Sequence, residues 1–306
     1  MSERHDPSTP IAEGCAVARR DDHVDMPVRT LDRTVPGRWG GAIRIRDYHP
    51  AESRADSPAV LWLHGGGFVS GNLEQSESHS VALGIASSGR RVRTVDYRLA
   101  PRFPWGHSST VDPSLNRYPA GLDDVVDAGR SLAQEGGRIV LGGASAGACL
   151  AVTAAQRLPD PAGLLLCYGV YHAELPPLPE SVRASVRGLA GYRQLTPPAV
   201  HRMSLNYVGD ESLLSSGAFP GGGELTGLPP ALLLDADHDT LRASGEAFVA
   251  ELAAAGVPVT YTVVPHTWHG YLNRRHLNGF RYAMAAIRGW LDELDGELVT
   301  RPLEPS

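Results

Sequence analysis

Apolar runs alternate with amphipathic stretches along most of the chain, and the two periods separate strands from helices. Arg29–Val35 and Ala42–Tyr48, joined across Pro36-Gly37, read as two strands. The second alternates apolar and polar residues, as a half-exposed edge hairpin does. Ala59-Val-Leu-Trp-Leu63 is apolar throughout, the pattern of a strand buried on both faces. A helix is predicted over about Ser78–Ser88 and a strand over Arg91–Tyr97. Another helix, Leu122–Gln134, has acids in its first turn, where the helix dipole favours them. Arg138–Val152 reads as a short buried strand, a turn of small residues and a helix. Gly163–Tyr168, Ala231–Asp235 and Val257–Val264 are further strands, and Leu241–Ala255 and about Tyr282–Leu294 further helices.

This alternation predicts an α/β fold with a mostly parallel sheet and helices on both faces. Two stretches break the rhythm. His172–Gly227 is rich in proline and glycine but holds helix-like segments at Ser181–Leu189 and Pro198–Tyr207. Too long for a plain connection, it reads as a cap inserted between strands, about 172–227. Trp105–Arg117 is a polar loop. Residues 1–25 are polar and aperiodic, an arm ahead of one domain spanning 26–306.

Composition narrows the chemistry. With 306 residues, 42% hydrophobic and 20% charged, the chain easily buries one large core. A net charge of −6 argues against nucleic acid or an anionic membrane as partner. All 28 basic residues are arginine, which removes Schiff-base lysine chemistry. Cys15, Cys149 and Cys167 are odd in number and far apart, so neither a disulfide framework nor a zinc site is expected. The N-terminus lacks a signal-peptide core and no apolar run approaches ~20 residues, so a cytoplasmic protein with no membrane span is expected.

Within Arg138–Val152, Gly143-Ala-Ser145-Ala-Gly147 fits G-x-S-x-G, the nucleophile elbow. The serine of such a turn has strained backbone angles, so its neighbours must be small. The helix that follows aims its free N–H groups at developing negative charge. Upstream, His64-Gly65-Gly66-Gly67 ends a strand, where glycines leave backbone N–H groups unobstructed, as an oxyanion hole needs. Downstream, an acid and then a histidine should follow. Asp235, Asp237 and Asp239 all follow the strand Ala231–Leu234, and His266 and His269 follow the strand ending at Val264. Asp239 also stands where a helix N-cap is expected. His64 reads as structural.

Taken together, these residues resemble the hormone-sensitive-lipase-like family of α/β-hydrolases, bacterial esterase branch, from about Arg33 to Leu294. The resemblance rests on His64-Gly-Gly-Gly-Phe-Val-Ser-Gly71, Val95-Asp-Tyr-Arg-Leu-Ala-Pro101, Gly143-Ala-Ser-Ala-Gly147, Leu228-Pro-Pro-Ala231, Asp239-Thr-Leu-Arg-Ala-Ser-Gly-Glu246 and His269-Gly-Tyr271. It implies Ser145 as nucleophile, His269 as general base and then acid, and Asp239 as the orienting carboxylate. It further implies oxyanion donors from Gly66, Gly67 and Ala146. Ala144, Ala148, Thr240 and His266 depart from the family's common residues, and Trp105–Arg117 looks inserted. Trp105 and Phe68 are expected to touch substrate. The implied activity is metal-free, cofactor-free hydrolysis of small-molecule carboxylic esters with small or medium acyl groups, and a homodimer is compatible with it. Transfer of the acyl group to another acceptor, or ligand reception without catalysis, are the alternative functions on this fold.

Overall fold

The structure, a computed structural model, describes residues 26–54, 56–102, 116–186 and 195–300. Eight strands form one sheet in the order β1-β2-β4-β3-β5-β6-β7-β8. They are β1 (Val28–Pro36), β2 (Ala42–Pro50), β3 (Ala59–Leu63), β4 (Val92–Asp96), β5 (Ile139–Ala144), β6 (Gly163–Cys167), β7 (Ala231–His238) and β8 (Val259–Trp268). The β1–β2 hairpin is antiparallel and joins β4 antiparallel; every other pairing is parallel. The all-apolar segments β3 and β6 lie inside the sheet with every residue buried. The alternating β2 lies beside the edge strand β1, as its pattern predicts.

Helices α2 (Ala120–Gly136), α3 (Ala146–Ala155) and α6 (Arg242–Ala254) cover one face. Leu122, Val125, Val126 and Leu132 lie on one helical face and form the buried stripe of α2. Helices α1 (Ser76–Ala86) and α7 (Asn278–Thr300) cover the other, with Val81, Ile85, Ile287 and Leu291 inside. No helix among the described residues is long and apolar enough to cross a membrane. One charged cluster is buried with the core. Arg93 of β4 has no exposed side-chain surface and pairs with Asp47 at 2.7 Å and Glu135 at 2.9 Å.

The segment between β6 and β7 carries α4 (Glu180–Ser185), α5 (Pro197–Val208) and a 3-10 turn, Glu211–Ser215. The start of α5 follows from its sequence. The Thr196 hydroxyl accepts the Ala199 N–H, Pro197 takes the first turn where no donor is needed, and Gly209 closes the helix left-handed. Both ends of the insertion meet on α6. The Gly221 N–H donates to Tyr171 O at 2.8 Å. Glu251 accepts from His172 Nε2 and from the Gly222 N–H, each at 3.0 Å.

Element identities match the sequence reading, and boundaries differ where pairing or packing overrides local pattern. β7 and β8 run on to His238 and Trp268, because their ladder resumes at His238↔Trp268 after an irregularity. α7 is longer than Tyr282–Leu294 at both ends. α4 spans Glu180–Ser185, and residues 187–189 of the predicted helix lie outside the described residues. The arm 1–25, residues 105–115 of the polar loop and Cys15 lie outside the described residues.

Candidate active site

The strand β5, the turn at Ser145 and the helix α3 make the elbow. Ser145 has φ 55° and ψ −119°, a left-handed conformation that costs a non-glycine residue about 1–3 kcal/mol. Close packing holds it there. A Cβ on Gly147 would lie 2.3 Å from Leu63 O and 2.5 Å from His64 O, so only glycine lets α3 approach the end of β3. The Ser145 N–H donates to Cys167 O at 2.9 Å, tying the turn to β6.

Two strand ends bring the partners in. His269, just past β8, places Nε2 3.0 Å from Ser145 Oγ and Nδ1 2.7 Å from Asp239 Oδ2. Asp239 is 1% exposed, and its other oxygen accepts the Leu241 N–H at 3.0 Å. That bond closes a turn ahead of α6, whose N-cap is Leu241 with no side-chain cap, so the capping reading of Asp239 gives way to its contact with His269. Burial drives the His269 pKa down, but the Asp239 carboxylate outweighs it, and the net direction is upward. Asp235 is buried on β7 with its carboxyl against Tyr261, and Asp237 and His266 lie at the sheet rim; none of the three touches Ser145 or His269.

The glycine loop after β3 faces the elbow. Gly66 and Gly67 have φ 123° and 61°, and a Cβ on Gly66 would lie 2.0 Å from Ser70 O. The Ser70 and Val69 N–H groups both donate to Gly66 O, closing the loop. The amides of Gly66, Gly67 and Ala146 have no acceptor among the described residues. His64 is buried and stacks on Tyr97 with 4.3 Å between ring centroids, a packing role as expected.

Comparison with known proteins now has a geometry to meet. The α/β-hydrolase-fold family matches residues 60–273. The carboxylesterase NlhH of Mycobacterium tuberculosis is 32% identical over 260 residues, covering 80% of this chain and 76% of the relative. A hyperthermophilic esterase from Pyrobaculum calidifontis superposes with a TM-score of 0.73 at 31% identity, covering 88% and 87% of the two chains. A hormone-sensitive lipase from a metagenome library superposes at 0.70 with 25% identity, covering 87% and 86%. The chain belongs to the hormone-sensitive-lipase-like α/β-hydrolases, a family of carboxylic ester hydrolases.

In this hydrolase a group that sequence reading passed over sits behind the glycine loop. Glu77, in the first turn of α1, is 2% exposed. Its Oε1 accepts the Gly65 N–H at 2.8 Å and Gln75 Nε2 at 2.7 Å, and its Oε2 accepts the Tyr168 hydroxyl at 2.8 Å. Burial raises its pKa, and the hydrogen bonds from Tyr168 and Gly65 oppose that shift. Tyr168 in turn meets the His269 ring edge-on at 5.1 Å. Glu77 thus links the loop, through Tyr168, to the His269 ring. The one sequence signal is an acid two residues into a helix that follows the glycine loop.

Phe68 corrects an expectation. It is not a substrate contact: it is 1% exposed, stacked on Tyr207 at 3.9 Å and edge-on to Phe219. Its left-handed backbone, φ 65°, turns the ring down into the core beneath α5. Trp105 lies outside the described residues. A cavity of 430 Å³ borders His269, lined by His266, Trp268, Tyr271, Arg274, Leu277 and Tyr282. Cys149 and Cys167 are buried, and burial pushes both thiols up, away from reactivity.

Proposed function

We propose that this hydrolase cleaves carboxylic esters through an acyl-enzyme on Ser145. The observation that carries the reading is the continuous relay from Asp239 through His269 to Ser145, at 2.7 and 3.0 Å. His269 takes the Ser145 proton as Oγ attacks the ester carbonyl, then gives that proton to the leaving alkoxide. Water, activated by the same Nε2, hydrolyses the acyl-enzyme. Asp239 holds the ring with Nδ1 protonated and stabilises the imidazolium. Gly66, Gly67 and Ala146 supply the amides for the oxyanion, and the dipole of α3 adds to them.

The β6–β7 insertion acts as the cap over this centre. Its α5 brings Met203 against Gly67, with Sδ 3.2 Å from where a Cβ would stand. The packed rings of Phe68, Tyr207 and Phe219, the third edge-on to the other two, fill the space beside the loop, which favours small or medium acyl groups over long lipids. An alkyl fluorophosphonate labels Ser145 in the parent and not in Ser145→Ala, and p-nitrophenyl esters of rising chain length are cleaved fastest at the short end. In that variant kcat falls by about 10⁶, the scale for a triad nucleophile. Full esterase activity in Ser145→Ala would overturn the assignment.

A further inference from the structure

The loop that carries Asp239 is held from two sides, and one of them is the cap. The β7–β8 ladder leaves register between Ala236 and His238, so the chain departs from the sheet here without the regular bonding that fixes the strands. Side chains take over that task. On the β8 side, the Asp237 N–H donates to Thr267 Oγ1 at 3.3 Å, and Asp237 Oδ2 accepts the His266 N–H at 3.2 Å. The Leu241 N–H bond to Asp239 Oδ1 lies within the loop and moves with it.

On the other side, three hydrogen bonds run to the insertion. Ser185, the last residue of α4, donates its hydroxyl to Asp237 O at 2.8 Å. Its carbonyl oxygen accepts from His238 Nδ1, also at 2.8 Å. The Thr240 hydroxyl donates to Leu195 O at 2.8 Å, one residue ahead of the Thr196 cap of α5. Asp237, His238 and Thr240 bracket Asp239, so the cap grips the chain before and after the acid. Thr240 is buried and Ser185 half-buried, so water competes little for these bonds. Two of the three cap-side atoms, Ser185 O and Leu195 O, are main-chain carbonyls, which a cap of different sequence offers equally. Thr240, by contrast, is a position where this chain departs from the family's common residue, so the bond from its hydroxyl belongs to this chain.

We infer that Thr240 and Ser185 are positioning residues for the relay: through them the cap holds the loop on which Asp239 meets His269. The inference rests on the triad proposed above, and both residues act through Asp239. Acyl transfer needs nucleophile, base and acid in register, and a displacement of about 1 Å can cost roughly a hundredfold in rate. The 2.7 Å contact between Asp239 and His269 is the part of the relay exposed to such a displacement, because its two residues stand on different loops. The other charges that bear on His269 are Glu77 on α1 and Asp235 inside β7. On the loop itself Asp237 faces His238 at 3.7 Å and Arg242 at 3.8 Å. Removing the Thr240 or Ser185 hydroxyl alters none of these charges.

Thr240→Val keeps the side-chain shape and removes the hydroxyl, and Ser185→Ala removes the bond to Asp237 O. With a short p-nitrophenyl ester each should lower kcat by about threefold to tenfold, well short of the ~10⁴ for loss of the acid, with KM little changed. The pH profile separates positioning from mere packing. Asp239 is the group that raises the His269 pKa, so a loosened contact moves the acid limb of kcat/KM to lower pH. Thr240→Ser returns the hydroxyl and should restore both kcat and the limb. The inference is overturned if both single variants keep the parent's kcat and acid limb, or if Thr240→Ser recovers neither. Ser145→Ala is measured alongside. Full activity there overturns the triad and this inference with it, whereas an inactive Ser145→Ala beside parent-like Thr240→Val and Ser185→Ala overturns this inference alone.

Discussion

Glu77 accepts the Gly65 N–H from beneath the glycine loop, and the absence of a Cβ on Gly65 makes the approach possible. A Cβ there would lie 2.7 Å from Glu77 Oε1 and 3.1 Å from Ser145 Cβ. Three donors converge on the carboxylate, so its ionised, acceptor-only form satisfies them all. Glu77→Gln keeps the shape but turns an NH₂ towards one donor. We expect kcat to fall by about tenfold to a hundredfold, less than the 10²–10³ for loss of an oxyanion donor, with KM changed far less. An unaltered kcat would show that the glycine loop holds its form without the carboxylate.

The same geometry sets the pH dependence. His269 must be neutral to accept the Ser145 proton, so kcat/KM rises with pH through its pKa. An unperturbed imidazole gives about 6.5. Burial alone would lower that, but Asp239, with smaller contributions from Glu77 and Asp235, moves it upward. The acid limb should therefore fall above 6.5, and Glu77→Gln should move it down. A limb below 6.5 in the parent would contradict the electrostatics described.

Asp239 and Asp237 stand two residues apart yet should differ sharply. Asp239→Asn removes the acceptor that fixes the His269 tautomer and should lower kcat by up to about 10⁴. Asp237→Asn, whose carboxylate faces His238 and the His266 amide, should keep kcat within about threefold, the scatter of context effects at sites outside the chemistry. The reverse ranking, measured with a short p-nitrophenyl ester, would transfer the orienting role to Asp237.

Arg93 offers a stability test remote from catalysis. Its guanidinium is buried between Asp47 and Glu135, and Arg33 completes the cluster by pairing with both acids. Arg93→Ala leaves the buried Asp47 with Arg33 alone and should cost up to about 3–5 kcal/mol in urea unfolding. A loss under 1 kcal/mol would mean that Arg33 alone serves both carboxylates.

Much of this was legible in the residues because local chemistry and tertiary role coincide. Gly143-Ala-Ser-Ala-Gly147 can make only a tight turn, and the fully apolar β3 can only be internal. The strand ends reached Asp235, Asp237, Asp239, His266 and His269 alike, and only the family resemblance singled out Asp239 and His269. Neither signal reached Glu77, because an acid near a helix start ordinarily serves the dipole and faces solvent. Only the pairing of β3 with β5 brings Gly65 and the elbow over it. Phe68 was misjudged for a related reason: adjacency to the glycines suggests a pocket wall, whereas its left-handed φ sends the ring into the core. The length of β8 depended on its neighbour, since β7 supplies the partner that extends it to Trp268.

The insertion between β6 and β7 leaves and re-enters the sheet through one doorway, where Gly221 N and Tyr171 O are 2.8 Å apart. A segment whose ends already touch can change length or be replaced without disturbing strand order, since the closure cost grows only slowly with length. His172, Gly222 and Glu251 would serve as the fixed socket for such a replacement. Under the cap role proposed above, selectivity would sit in a cassette separable from Ser145, Asp239 and His269, free to diverge in lineage or at the bench while the sheet beneath stays the same.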